Sequence, residues 1–374
     1  MVVHHLPNPP PRSRYHAVAD AIADAGFPAY RYRQLLHAVF HRAVLDFASM
    51  HELPIRLRDL LTARFGPRIT AVEPLATQRS PRATKTLLAA PRGGRIESVL
   101  LSYPAGWSSL CLSSQVGCGL GCTFCATGTM GLRRNLDADE ITDQVLLAGA
   151  RPDSVAFMGM GEPLANPHTL TAIDLLVDPA YFGFSPRRIT VSTVGFLPGM
   201  RRLLDRHPGV VPTVSVHSPY PDQRRELIPL EDRYPLAECL DVLDEHAAHS
   251  NRRVYLAYLL IDGVNDSTAH ADALARQILG YRRPDLLVLS VIPFNPAPGL
   301  PADYSTPSAE ATTAFLRRVR SRGIRAVRRN QFGADIDAAC GQLAARRPGF
   351  VGVEEILRAD GDPRRRRGDA ASSG

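Results

Sequence analysis

The chain has 374 residues, 45% of them hydrophobic, enough for one large core and a small appendage. No stretch approaches the roughly 18 uninterrupted apolar residues of a membrane span, and the opening segment has histidines and a proline run where a leader would have an apolar core, so a cytoplasmic protein without membrane contact is expected. The formal charge of +7, carried mostly by arginine, suits contacts to phosphates and stacked bases, although a GC-rich coding sequence also raises arginine, so charge alone does not decide.

Residues 1–16 are rich in Pro and Arg and are expected to be disordered. Apolar residues then recur at helical spacing, as in Leu35, Leu36, Val39 and Phe40 and again in Leu57, Leu60 and Leu61, which predicts a small helical accessory domain over 17–83. Over 84–110, β-branched and apolar residues flank Pro91-Arg92-Gly93-Gly94 and read as a β-hairpin bridging to the main domain. Residues 111–345 form that domain. From Val155 its apolar runs (155–158, 189–192, 211–216, 254–261, 286–294 and 324–327) alternate with helical stretches, the pattern of an α/β fold whose parallel strands build a partial (β/α) barrel. Barrel chemistry sits on the loops after the strands, here Gly159-Met160-Gly161-Glu162-Pro163, Ser192-Thr193, His217-Ser218 and Asn295-Pro296. Residues 346–374 are an extension ending in a basic disordered tail with Arg364 to Arg367.

Six cysteines, at 111, 118, 122, 125, 239 and 340, are too few and too unevenly spread for a disulfide scaffold of this size. Cys118-Gly-Leu-Gly-Cys122-Thr-Phe-Cys125 places three thiols within eight residues, among glycines that let the backbone fold around a cluster. Three ligands leave one iron of a [4Fe-4S] cluster open. An open iron can chelate the amino and carboxylate groups of S-adenosylmethionine and reduce its sulfonium, releasing a carbon radical. The competing reading is a zinc knuckle that borrows a distant ligand.

C-x3-C-x2-C with an aromatic before the last cysteine resembles the signature of the radical S-adenosylmethionine (radical SAM) superfamily. The stretches Leu112 to Cys118, Cys125-Ala126-Thr127-Gly128, Arg134-Asn135-Leu136, Phe157 to Glu162 and Ala338-Ala339-Cys340-Gly341-Gln342-Leu343 occur in order. From about Tyr30 to Leu343 the chain is similar to the RlmN/Cfr family of radical SAM ribosomal RNA adenosine methyltransferases. That resemblance implies metal ligands Cys118, Cys122 and Cys125 and cofactor contacts at Gly161, Glu162, Ser192, Ser215, Val216, His217 and Asn295. It implies that Cys340 carries a methyl group, that Cys111 later cleaves the protein–RNA adduct through a transient disulfide, and that Glu97 is the proton acceptor. Without the resemblance, Cys111 and Cys340 read as small buried hydrophobes and Glu97 as a solvated strand carboxylate. Cys239, on a helical pattern with no motif around it, keeps that plain reading.

The family's partners are 23S ribosomal RNA, with transfer RNA as a further substrate in some members, and an electron donor such as flavodoxin or ferredoxin. Gly131 to Gln144, Arg252 to Tyr255 and Gln331 to Gly333 resemble the Cfr branch, which methylates adenine C8; Gly161-Glu162-Pro163 is closer to the RlmN branch, which methylates C2. C8 is the expectation. A radical enzyme acting on a small molecule and a non-catalytic RNA-binding protein are the competing classes. Asp137 to Glu140 also predicts a helix capping box. Arg31, Arg33 and the stretch from Arg317 to Arg329 are expected to line the RNA approach, unless Arg317, Arg318, Arg320 and Arg322 are only a helix's solvated face.

Overall fold

The computed structural model describes residues 13–329, 331–344 and 351–352. Three helices come first: α1 (Arg14–Asp24), α2 (Tyr30–Arg42) and α3 (Ile55–Phe65), each burying an apolar stripe that includes Val18 and Ile22, Leu35 and Val39, and Leu57 and Leu61. The segment expected to be disordered therefore orders from Arg14. Tyr15 is buried against Phe40 and Tyr181, and the Arg14 amide donates to Asp139 Oδ2 at 2.6 Å, so tertiary contacts outweigh the local proline and arginine content. Residues 1–12 and the basic tail lie outside the described residues.

The helical unit also ends earlier than expected. After α3 the chain enters β1 (Glu73–Ser80) and β2 (Ala83–Ala89), antiparallel along their whole length. Glu73 to Ser80 has no apolar alternation; its strand conformation comes from its pairing partner. The hairpin of β2 with β3 (Arg95–Ser102) turns where expected, but it is no separate bridge. β3 pairs with β4 (Ser108–Cys111), and β4 runs parallel to β7 (Ser154–Phe157), so the hairpin extends the barrel sheet and covers an edge that would otherwise be open. Between them, β5 (Gln115–Cys118) and β6 (Gly131–Asn135) make a two-stranded ribbon.

β8 (Ile189–Thr193), β9 (Val211–Ser215), β10 (Val254–Leu260), β11 (Leu287–Pro293) and β12 (Ala326–Arg328) continue the sheet in parallel and in sequence order after β4 and β7. β12 has no closing pair with β4, whose other edge is taken by β3, and this makes the barrel partial; the far end is β1 paired with β13 (Val351–Gly352). β11 is buried at every position, as expected of a strand covered on both faces. Between the strands run α4 (Ala138–Leu146), α5 (Thr169–Val177), α6 (Leu197–Arg206), α7 (Pro221–Leu227), α8 (Leu236–Ser250), α9 (Thr268–Leu279) and α10 (Ala309–Ser321). α4 starts in the expected capping box, with Asp137 Oδ1 accepting from the Glu140 amide at 2.8 Å and Glu140 Oε2 from the Asp137 amide at 2.9 Å. One apolar core joins the opening helices to the barrel. No helix among the described residues is long and apolar enough to cross a membrane.

Candidate active site

The β5–β6 ribbon brings the three-cysteine loop to the carboxyl ends of the barrel strands. Gly117 has φ +78°, and a Cβ there would collide with the Gly131 carbonyl, so the ribbon closes this tightly only with glycine. The loop then turns through Cys125 N to Cys122 O (3.2 Å) and Gly128 N to Cys125 O (2.9 Å). Burial pushes the Cys118 thiol up to about 11 and raises Cys122 and Cys125; the proximity of the other two thiols adds to the rise at Cys122, so all three share one space. No group of three His, Cys, Asp or Glu side chains among the described residues is gathered as a single-ion site. An all-thiol donor set spread around a common space suits a sulfur-ligated iron cluster better than one zinc ion.

A cleft opens beside this loop, lined by Cys125, Gly161, Glu162, Ser192, Ser215, His217 and Cys340 among others. Glu162 is its buried acid. Oε1 accepts from the Leu164 amide at 3.1 Å and Oε2 from the Val194 amide at 3.0 Å, and no cation pairs with it among the described residues. Burial raises its carboxyl to about 7, against the pull of those hydrogen bonds. A carboxylate in this position lacks only a positive partner, and the ammonium of an amino-acid ligand is one. Gln115 sets it in place: its Oε1 accepts from the Glu162 amide at 2.9 Å, while its Nε2 donates to Asn135 Oδ1 at 2.8 Å.

His217 takes φ +58° at the end of β9, held by Asn265 Nδ2, which donates to its carbonyl at 2.7 Å. Its Nδ1 accepts from the Leu259 amide at 2.9 Å, and burial, helped by Arg224, drops its pKa to about 3. The ring is therefore neutral with its proton on Nε2, a fixed donor beside the cleft. Ser192 and Ser215 add hydroxyls from neighbouring strand ends. Two expected cofactor contacts do not line the cleft. The Val216 amide donates to Ala257 O at 2.8 Å and its carbonyl accepts from Arg224 Nε at 3.0 Å, so strand pairing and the buried arginine take both groups. Asn295 Nδ2 donates to Cys340 O at 3.3 Å and its Oδ1 accepts from Gln331 Nε2 at 2.9 Å, so it holds the Cys340 segment.

That segment is tied to the three-cysteine loop. The Ala126 amide donates to Gly341 O at 2.8 Å, Thr127 Oγ1 to Leu343 O at 2.6 Å, and Gln342 Nε2 to Pro296 O at 2.9 Å. The two motifs thus interlock through backbone carbonyls, and Cys340 faces the cleft. Cys111, at the end of β4, is buried. Burial pushes its thiol up to about 12, the nearby Cys340 pushes the same way, and Arg329 pulls it back. Arg329 follows β12, lines the cleft and donates to Met158 Sδ at 2.6 Å. Sequence reasoning placed it only at the end of a basic stretch; no motif marks it.

Glu97 is neither solvated nor on the cleft. It is buried, pairs with Lys85 at 3.4 Å, and its Oε2 accepts from the Ala344 amide at 2.9 Å, bracing the Cys340 segment from behind. Cys239 is buried in α8, with Sγ 3.5 Å from Gly195 O, as its plain reading had it. Of the basic stretch, Arg318 and Arg322 both grip Asp272, Arg320 donates to Ala326 O, and Arg317 is exposed, so this is mostly a paired helix face. Arg31 donates to Gln34 Oε1 and Glu52 O, and Arg33 is exposed.

Comparison with known proteins agrees with this layout. A model of the radical SAM superfamily matches residues 112–274. Over 334 residues the chain is 48% identical to "Ribosomal RNA large subunit methyltransferase Cfr" of Shouchella clausii, covering 88% of this chain and 95% of that one. It is 41% identical to the protein of the same name from Staphylococcus aureus, covering 89% and 96%. A crystal structure of a radical SAM methyltransferase from Sphaerobacter thermophilus superposes with a TM-score of 0.82 at 39% identity, covering 89% of this chain and 98% of that one.

Proposed function

The chain belongs to the Cfr ribosomal RNA methyltransferases of the radical SAM superfamily, and from that premise we propose that it methylates C8 of an adenosine in 23S ribosomal RNA, with Cys340 as methyl carrier and Cys111 as the thiol that releases the product. The supporting observation is the grouping of Cys340, Cys111 and Arg329 beside a cleft that also holds Cys125 and Glu162. A [4Fe-4S] cluster and S-adenosylmethionine, the cofactors of the superfamily, supply the methyl group and a carbon radical able to take hydrogen from a methyl.

Around that chemistry, Cys118, Cys122 and Cys125 hold the cluster. Glu162 receives the cofactor's ammonium, and Ser192, Ser215 and the Nε2–H of His217 donate to its carboxylate and ribose. Cys340 reaches the cleft while hydrogen bonds from Asn295, Ala126 and Gln342 fix its backbone segment. Cys111 must lose its proton to attack sulfur, and Arg329 is the nearby cation that favours this. Glu97 enters as the brace of the Cys340 segment; to accept a proton from the cleft it would have to leave Lys85. The amino-terminal helices, with Arg33 exposed, meet the RNA, and a small electron carrier such as flavodoxin or ferredoxin reduces the cluster.

C8 rather than C2 is supported by the Cfr-like wording of residues 131–144, 252–255 and 331–333. The test is methyl transfer by anaerobically reconstituted protein to a 23S fragment, with product nucleosides separated by mass spectrometry. The expected product is 8-methyladenosine. 2-Methyladenosine would move the chain to the C2 specificity, and methylation of a metabolite with no RNA product would replace this reading with small-molecule chemistry. Transfer RNA in parallel reveals any second substrate.

A further inference from the structure

The loop that carries the three thiols has two sides, and the chemistry of the cleft occupies one. Phe124 and Cys125 line the cleft, whereas residues 118–121 do not. Gly119 and Gly121 are exposed, and Leu132 of β6 lies over Gly119, its Cβ 3.2 Å from the place a Cβ on that glycine would take. The register of the ribbon, Gly117 with Leu132 and Cys118 with Gly131, holds it there. Leu132 is 47% exposed and belongs to neither apolar cluster of the core. A large aliphatic side chain left in water beside a half-buried ligand thiol, Cys118, is surface that a protein partner would cover.

The neighbouring surface is cationic. Arg133 is exposed, and so is Arg95, which follows the β2–β3 turn; neither pairs with an acid among the described residues. That turn is tied to the ribbon: Arg134 Nε donates to Gly93 O at 3.2 Å, and Gly94 sits so close to Val116 that a Cβ would collide with it. The acids at hand are Asp137, held by Arg92 at 2.8 Å, and Glu140, held by Arg134 at 2.7 Å and Arg92 at 3.2 Å. With both acids already engaged, Arg95 and Arg133 leave the patch positive around an apolar centre.

We infer that the outer side of the three-cysteine loop, centred on Leu132 and rimmed by Arg133 and Arg95, is the docking surface for the one-electron carrier that reduces the cluster, a small acidic protein. The inference rests on the functional reading above. An electron has to arrive while cofactor and RNA fill the cleft, so the carrier needs the side of the loop that faces away from it. RNA phosphates would use the arginines but leave Leu132 in water; an acidic protein uses both. Each encounter moves one electron from the reduced carrier to the cluster, and the carrier leaves oxidised by one. Such an exchange calls for a small interface that releases readily, which one aliphatic side chain within a charged rim supplies.

Flavodoxin, an acidic one-electron carrier, is the probe, with its hydroquinone as donor and dithionite as the reductant that needs no docking. Its binding to full-length, cluster-loaded protein is measured by calorimetry for wild type, Leu132→Ser, Arg133→Glu and Arg95→Glu, and methyl transfer to a 23S fragment is driven by each reductant in turn. Arg133→Glu and Arg95→Glu should each raise the flavodoxin Kd about tenfold at about 50 mM salt, a gap that narrows by about 300 mM as the charges are screened. Leu132→Ser should raise it about fivefold at both salts, because apolar burial is not screened. Flavodoxin-driven methylation falls in step at low carrier concentration, while the dithionite-driven rate and the RNA KM stay within about twofold of wild type. Iron and sulfide assays confirm that the variants keep the cluster; should Leu132→Ser lose it, the arginine variants carry the test. Wild-type flavodoxin affinity in the variants, or no flavodoxin binding by wild type that methylates with dithionite, overturns the inference and leaves the functional reading standing. An RNA KM raised in the dithionite-driven reaction assigns the patch to RNA and overturns it too. Wild type that methylates no RNA with either reductant counts against the functional reading, and the binding measurements still decide the docking surface.

Discussion

Glu162 and Glu97 are both buried carboxylates of one continuous sheet system, yet the two halves of the molecule treat them oppositely. Glu97 lies in the antiparallel half, where Lys85 balances its charge and the Ala344 amide takes an oxygen. Glu162 follows a parallel strand and has two amides and the Thr193 side chain for partners but no cation among the described residues, and burial leaves its carboxyl raised to about 7. One half completes its own electrostatics and acts as a brace. The other leaves a charge for a ligand to complete. The sequence marks Glu162 by its motif and Glu97 only through the family resemblance, and the difference in their roles lies in what each meets in space.

The largest expected break comes from the parallel half. Cys122→Ala should abolish RNA methylation and lower iron and sulfide content after reconstitution, while Cys340→Ala abolishes methylation with the cluster intact; iron and sulfide assays beside product mass spectrometry check both. Glu162→Gln should weaken S-adenosylmethionine binding by about 10- to 100-fold, the cost of one charge-assisted contact, without lowering the melting temperature of the unliganded protein. Calorimetric binding and thermal melts read the two effects separately.

Lys85→Met has the reverse signature. It leaves a buried carboxylate without its cation and should cost about 3–5 kcal/mol of stability, mostly recovered in Lys85→Met with Glu97→Leu, as denaturant titration would show. Loss of stability in Glu162→Gln, or none in Lys85→Met, would erase the contrast between the halves.

The last prediction concerns a third buried acid and is read against pH. Asp143 on α4 accepts from the Ala71 and Val72 amides, and burial raises its carboxyl from 3.8 to about 8. A group whose folded pKa is raised stabilises the fold while protonated, so its contribution is full below 3.8 and is lost as pH climbs towards 8. Melting temperature should fall across that range in wild type. Asp143→Asn should flatten the fall, leaving the parts due to Asp139, raised to about 6, and Glu162, raised to about 7, both by burial.

The parallel half was legible because its strands are continuous apolar runs and its chemistry sits on the short motifs that follow them. The antiparallel half was less so: Glu73 to Ser80 is a strand through pairing with β2 and β13, which local pattern does not encode. The interlock of Gly341 and Leu343 with Ala126 and Thr127 joins segments more than 200 residues apart through backbone atoms. Arg329 was read only as the end of a basic stretch for a related reason: it stands among surface arginines, and only the end of β12 turns it towards the cleft. Val216 and Asn295 have their polar groups engaged within the protein, which a motif does not reveal because it names a position without saying whether its polar groups are already taken.

The account centres on Cys340 carrying the methyl and Cys111 releasing the product. Cys111→Ala, reconstituted and incubated with S-adenosylmethionine, reductant and the 23S fragment, tests both at once by peptide mass mapping. The account predicts a covalent protein–RNA adduct through Cys340 and little free methylated RNA. Free methylated RNA at the wild-type rate with no adduct, or an adduct through any other residue, would contradict it.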